Sequence, residues 1–530
     1  MRLLFAAFAI FMLVAGPAKA DDWFVAETNN FIIKTYDDEA DIRKFSSELE
    51  RFDMALRSLQ GLPIGEDQPS RATKLTVYRF GTASDIGKLI NASSVAGFYI
   101  ARAGDSVAYT PAEAERSRTM SVTDPNRRRN QLQRLDEVSV LQHEYVHYFM
   151  MQHFPAAYPR WYSEGYAELL ATMRFNDDGS YHIGDPPQYR AYQIFKRRPF
   201  PLEEMLDAEY ELVGMDWLQH YATGWLFTHY LNFVPERRAK LNDYLVAVAE
   251  GENSLQAARR IFGDLKAIDK ELLQYRNGPF PGLTVRLANY AEPQVQIRPM
   301  DGVEKALINE EIRLGVGLSK GDAAKLAREI SGKMSAFPEH PHALALLVQA
   351  QSEAEDYDAA MQTAERLMQI APEHMNGPLY ASYTAIERAR KDASWLPRAV
   401  EYAEQAAAID SNDPRPAISY YYSHFAAKTD IPESAIIALE QQYGSAGSDP
   451  IYRVMLARQL VLENRLDSAR VVLQPIAFRG HNQGDPFEGD EDDGENEPTL
   501  DKIMAYINDS NRDAALAMLD DILTPDEDDA

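Results

Sequence analysis

Hydrophobic and polar positions change period several times along the chain. Between residues 22 and 115 two periods mix. FIIKTY (31–36) and KLTVYRF (74–80) are β-branched and aromatic runs that predict strands. Between them, ADIRKFSSELERFDMALRSL (40–59) places Ile42, Phe45, Leu49, Phe52, Leu56 and Leu59 on one helical face. GFYIARAGDSVAYTP (97–111) reads as a hairpin turning at Gly104-Asp105. Together these predict a small α/β unit over 21–135, in which SVAYTP (106–111) is a candidate edge strand open to an extended peptide. From 136 to about 275 the pattern is helical. Pro279, Pro281 and Pro293 then interrupt it, and LTVRLANYAEPQVQI (283–297) looks extended, so 276–302 is expected to be a linker between domains.

From 303 to 480 a pattern recurs every 34–40 residues. HPHALALLVQAQSEAEDYDAAMQTAERLMQIAPEH (340–374) has small residues where two helices would pack, with Tyr357-Asp358-Ala359-Ala360 opening the second helix and Pro372 closing it. Looser copies lie at 399–414, 435–450 and 462–475, and RKDASWLP (390–397) departs from the period. These segments resemble tetratricopeptide repeats, whose paired helices stack into a solenoid that recruits proteins or peptides. A non-repeating helical bundle is the alternative. Residues 481–498 read as a disordered acidic linker, and 499–530 as two short amphipathic helices with an acidic end.

Composition narrows the setting. MRLLFAAFAIFMLVAGPAKA has a charged start at Arg2, an apolar core from Leu3 to Ala15, and a small-x-small site at Ala18-Lys19-Ala20. It predicts a signal peptide cleaved after Ala20. A membrane anchor is the alternative, but the apolar run is short for spanning a bilayer. The chain holds no Cys, which excludes disulfides and thiolate metal sites and fits a bacterial periplasm. The net charge is −27, and −29 once Arg2 and Lys19 are removed, so nucleic acid is excluded as a partner. Against that acidic background, 112–135 holds six Arg and no Lys, between Arg116 and Arg134. It is either a solvated loop or a flap that draws in an acidic substrate or a membrane surface.

The chemistry concentrates at LQHEYVHYFMMQHF (141–154). On a helix, His143 and His147 lie one above the other and can aim imidazole nitrogens at one ion. Glu144 sits roughly 100° around the axis from His143, where it reaches a metal-activated water without being a ligand. PRWYSEGYAELLATM (159–173) predicts a second helix with Glu164 and Glu168 on one face. Glu164 supplies the third protein ligand that such a zinc site needs, and Glu168 can accept from the far nitrogen of a ligating His.

HEYVH followed by WYSEGYAE resembles the gluzincin metallopeptidases, and Trp161, Glu164, Gly165 and Ala167 match their W-x-x-E-G-x-A pattern. Sixteen residues separate His147 from Glu164, a shorter connection than in the aminopeptidase-N-like members. YATGWLFTHYL (221–231) resembles the Tyr-x-x-Gly helix of those members. That resemblance implies Tyr221 as the group steadying the oxyanion. His220, as a protonated imidazole, is the rival, and a core aromatic role for Tyr221 stays open. The G-x-M-E-N stretch that holds a substrate amine has no counterpart in 95–140, which argues against aminopeptidase activity. The segment 22–275 also resembles uncharacterised bacterial peptidase-MA-like proteins that often carry tetratricopeptide repeats.

The fold expected is therefore an α+β N-terminal part with a mainly helical gluzincin-like catalytic domain (136–275), then an α-helical tetratricopeptide-like solenoid. The function expected is exported Zn²⁺-dependent peptide hydrolysis: His143, His147 and Glu164 as ligands, Glu144 as general base, Glu168 orienting a ligand, and Tyr221 or His220 at the oxyanion. The alternative is a catalytically silent zinc-binding scaffold in envelope assembly.

Overall fold

The computed structural model describes residues 22–65, 69–91, 97–112, 137–207, 210, 212–213, 216–287, 290–477 and 499–524. The expected signal peptide, the arginine-rich stretch 116–134, the acidic linker 481–498 and the last six residues lie outside them.

The N-terminal α/β part is built on a six-stranded sheet. Strands β1 (Phe24–Glu27) and β2 (Phe31–Thr35) form a hairpin, helix α1 (Glu39–Gln60) follows, and β3 (Leu75–Arg79) returns parallel to β2. After the short helix α2 (Ala83–Lys88), β4 (Phe98–Ile100) and β5 (Val107–Thr110) make the expected hairpin, with Asp105 at φ +57° in its turn. Alternate strand residues face opposite ways. Phe31, Ile33, Val77 and Ala108 pack against α1 through Ile42, Phe45, Leu49, Phe52 and Leu56. Burying each such side chain contributes about 1.5–3 kcal/mol. Asp38 caps the start of α1, accepting from Asp41 N at 2.9 Å, and Gly61, at φ +69°, ends it.

One expectation about this sheet is corrected. β5 is not an edge: it pairs with β4 on one side and β3 on the other. The stretch 276–302, expected to be a linker or extended segment, is extended in part. Its β8 (Leu283–Arg286) joins β6 (Arg174–Phe175) and β7 (Ser180–Ile183) in a second sheet, and its β9 (Gln296–Pro299) pairs antiparallel with β1. Pro279, Pro281 and Pro293 do not prevent the pairing because they lie outside both strands, and Pro299 ends β9 at the edge of its sheet, where a missing N–H is tolerated.

The middle of the chain is helical: α3 (Glu137–His153), α4 (Arg160–Leu170), α5 (Ala191–Lys196), α6 (Leu202–Met205), α7 (Asp216–Phe233), α8 (Pro235–Ala249), α9 (Ser254–Phe262) and α10 (Leu265–Tyr275). α3 buries Leu141, Val146, Phe149 and Met150 in the same core as α1.

Helices continue through α11 (Gly302–Val316), α12 (Lys320–Met334), α13 (Pro341–Glu353), α14 (Tyr357–Ile370), α15 (Asn376–Lys391), α16 (Leu396–Ile409), α17 (Arg415–Ala426), α18 (Glu433–Gln441), α19 (Tyr443–Ala446), α20 (Pro450–Leu462), α21 (Leu466–Ala477), α22 (Leu500–Asn508) and α23 (Arg512–Ile522). Neighbours in sequence pack together, and α11, α13, α15 and α17 also meet one another in order. Small residues sit where the helices approach: Ala343, Ala350, Ala360 and Ala364 are fully buried. α14 opens at Tyr357, capped by Asp356, and stops just before Pro372.

This array is not held at arm's length. α11 covers the second face of the six-stranded sheet, where Ile308 and Ile312 pack with Ile32, Tyr78, Val107 and Tyr109. Tyr109 donates to Ile312 O at 3.0 Å, and Arg102 to Gly315 O at 2.8 Å. Further along, Ala103 N donates to Asp449 Oδ2 at 2.8 Å, and Arg415 pairs with Asp105 at 2.5 Å. No described helix is long and apolar enough to cross a membrane.

Candidate metal centre

Three helices assemble the centre. α3 presents His143 and His147 one turn apart. α4 brings Glu164 to them, and α7 passes behind α4. The crossing of α4 and α7 is close because both carry glycine at the contact. A Cβ on Gly165 would lie 2.3 Å from Gly224 O, and one on Gly224 2.8 Å from Trp161 O. Both obstacles are backbone, which cannot swing aside. Trp161, 1 % exposed, anchors α4 further by donating to Tyr244 Oη at 3.0 Å.

The three nearest polar atoms are His143 Nε2, His147 Nε2 and Glu164 Oε2. They lie 3.2 Å (His–His), 3.2 Å (His143–Glu164) and 3.6 Å (His147–Glu164) apart. Donors at zinc distances on a tetrahedron are separated by about 3.3 Å. The residues present therefore fit a tetrahedral ion with one position left over, and they form the one such metal-competent group among the described residues. All three side chains are nearly buried: 12 % exposed for His143, 9 % for His147 and 1 % for Glu164. Lone pairs gathered in so little water are stable only with positive charge among them. Burial pushes the His143 imidazolium down, but the hydrogen bond and charge of Glu164, with Glu168 and Glu144 beyond, outweigh it and hold its pKa above the usual value.

His147 is oriented from behind by Ser163, whose Oγ lies 3.2 Å from Nδ1. Glu144 is 7 % exposed, and its charge acts on both His143 and Tyr221.

Glu168 departs from expectation. Its oxygens go not to a ligating histidine but to Arg190, whose Nε is 2.9 Å from Oε1, and to Tyr189, whose hydroxyl donates to Oε2 at 2.5 Å. It acts on His143 only through its charge. Tyr189 and Arg190 lie on a single 3-10 turn before α5, with no periodic pattern to flag them. Ser163 had a signal, since it immediately precedes Glu164.

The structure separates the two oxyanion candidates. The Tyr221 ring lies 6.3 Å from the His143 ring, and its hydroxyl has no hydrogen-bond partner among the described residues. Burial, then the charge of Glu164, pushes its pKa up, so it keeps its proton. His220 is 3 % exposed, beside Phe200, and its Nδ1 has no hydrogen-bond partner among the described residues. Burial first, and then the charge of Arg160, lowers its pKa to about 4. That favours the neutral imidazole over the imidazolium that the oxyanion role would need.

A cleft of about 1240 Å³ reaches Gln142, the residue before His143. It runs along α1 past Arg43 and Ser47, over Ser139 and Gln142 in the first turns of α3, to Phe175 and Tyr189. None of the three ligand candidates forms its wall. Among the described lining residues, Arg43, Lys44, Arg51 and Arg174 balance Glu48, Asp177, Asp185 and Glu292. No family model and no curated protein matches this chain.

Proposed function

We propose that the chain is a zinc-dependent peptide hydrolase of gluzincin type. The observation that carries the reading is the convergence of His143 Nε2, His147 Nε2 and Glu164 Oε2 at tetrahedral spacing, with Glu144 beside them. The ligand set is two neutral imidazoles and one carboxylate, which leaves an open position and suits a catalytic zinc better than a structural one. Zinc bound there supplies Lewis acidity to the scissile carbonyl and makes water acidic near neutral pH.

The remaining work belongs to the protein. Glu144 takes a proton from the attacking water and delivers it to the leaving amine. Tyr221 keeps its hydroxyl proton and donates it as a hydrogen bond to the oxygen that gains negative charge. Ser163 fixes the ring of His147. The charge-balanced cleft beside Gln142 and Tyr189 is consistent with a polypeptide segment as substrate. The helices from α11 onward, with their resemblance to tetratricopeptide repeats, are the part that recruits proteins, and the apolar N-terminal run supports export to the periplasm.

The test is cleavage of a quenched peptide library by the zinc-loaded chain, wild type beside Glu144→Gln. The reading expects cleavage by the wild type and loss in the variant with zinc retained. A zinc-loaded wild type that cleaves nothing, yet holds a stable protein partner, would favour the scaffold reading instead.

A further inference from the structure

We infer that Arg190, held by Glu168, is a positioning residue for Tyr221. Arg190 has its guanidinium 4.9 Å from the centre of the Tyr221 ring and 5.4 Å from that of Tyr189. The same guanidinium donates to Glu168 Oε1 from Nε, and Nη2 also lies 2.9 Å from that oxygen. Glu168 is 1 % exposed, and Tyr189 takes its other oxygen. A buried carboxylate with a planar cation across it fixes that cation in place. The fixed cation then lies over the face of Tyr221, an attractive contact that defines where the ring stands.

The arrangement has a chemical purpose. The Tyr221 hydroxyl has no partner of its own among the described residues, and the charges of Glu164, Glu144 and Glu168 all act on it. A phenol left free to rotate there would turn away from the centre and lose the geometry that an oxyanion donor needs. Arg190 supplies the restraint from the ring face and leaves the hydroxyl available. Gln219, which donates to Gln193 O at 3.3 Å, ties the helix bearing Tyr221 to the helix that follows Arg190, so the distance between the two is set by the fold. Glu168 thus supports the oxyanion side of the centre, two steps removed from the reacting atoms, and not a metal ligand.

The consequence for turnover rests on the peptide-hydrolase reading; the positioning itself does not. The experiment compares Arg190→Met, Glu168→Gln, Tyr221→Phe and the double variant Arg190→Met/Tyr221→Phe in the full chain. Zinc affinity is measured on each. A 3-fluorotyrosine at position 221 reports ring order by ¹⁹F NMR in the wild type, Arg190→Met and Glu168→Gln. Arg190→Met is expected to turn one narrow ¹⁹F resonance into a broad or split one. Zinc affinity should stay unchanged in Glu168→Gln and Arg190→Met. Peptide cleavage in Arg190→Met should lose roughly 10- to 100-fold in kcat with KM unchanged, and the double variant should be no slower than Tyr221→Phe alone.

A narrow, unshifted resonance in Arg190→Met would overturn the inference. So would a 10- to 100-fold loss of zinc affinity in Glu168→Gln, the mark of a group that orients a ligand, or additive losses in the double variant. If the zinc-loaded wild type cleaves no peptide, the hydrolase reading falls, and the ¹⁹F comparison still decides the positioning.

Discussion

Helix α3 carries buried polar groups on two sides, and they are opposite in kind. On one side Tyr145 donates to Asp53 Oδ1 at 2.8 Å, Arg57 holds Asp53 Oδ2 at 2.7 Å, and Asn30 bridges Asp53 and Glu50 at 3.1 and 2.9 Å. Every acceptor there meets a donor. On the other side, two residues away along the helix, His143 Nε2, His147 Nε2 and Glu164 Oε2 gather within 3.6 Å of one another. A fully paired network adds rigidity and specificity, whereas two imidazoles and a carboxylate brought this close can share one positive charge, a proton or a metal ion. The contrast separates a part of α3 that holds the fold from a part whose grouping could hold a metal ion.

The sharpest way to break that contrast is to remove one group from the second side. Glu144→Gln is expected to lower kcat by roughly 10²- to 10⁴-fold, with zinc and fold intact by elemental analysis and circular dichroism. Retained turnover would remove Glu144 as base. A large effect of a different kind belongs to the first side. Asp53→Ala leaves Arg57 buried without its carboxylate, and is expected to cost about 3–5 kcal/mol in chemical denaturation while zinc stoichiometry stays at wild type.

The pH dependence of stability sharpens the same network. Burial lifts the Asp53 carboxyl to about 6, against the pull of Arg57 and with a push from Glu50. Between pH 4 and 6 the folded chain keeps a proton that the unfolded chain has released. Stability from this group therefore falls as pH rises across that window, by on the order of 3 kcal/mol, and is flat above it. Asp53→Asn should remove that slope from a series of denaturation curves; an unchanged slope would assign it to other groups.

A smaller effect tests the frame that joins the helices. Gly224→Ala drives a Cβ into the Trp161 carbonyl, and is expected to cost about 1–3 kcal/mol and to weaken zinc binding through the shifted α4. Smallest of all is Asp105→Ala. Its side chain is 56 % exposed where it meets Arg415, so a loss of no more than about 1 kcal/mol is expected in thermal unfolding. A much larger loss would mean that this single contact, and not the packed face of α11, fastens the helical array to the sheet.

What could be read in the sequence was local. The face of α1, the hairpin at Asp105 and the spacing of His143, Glu144 and His147 are short-range patterns that one helix or turn imposes. Glu164 was legible because its surroundings repeat a known pattern with Trp161 and Gly165. The return of β9 to β1 was not, since pairing across most of the chain leaves no period in either strand. Nor was the place of α11 on the sheet, because Ile308 and Ile312 would look the same facing another helix. Glu168 was assigned by spacing to a ligand, and its true partners sit on an irregular turn. Tyr221 and His220 are neighbours in the chain, and their burial and charged surroundings, which favour the phenol of one and the neutral imidazole of the other, are not written in the local pattern.

The most direct measurement is the metal content of the purified chain, wild type beside His143→Ala and Glu164→Ala, each checked for folding. One zinc per wild-type chain, lost from both variants, is the result expected of a centre built from these atoms. A folded wild type that neither carries zinc nor takes it up on addition, or variants that bind it as well as the wild type, would contradict the account at its root.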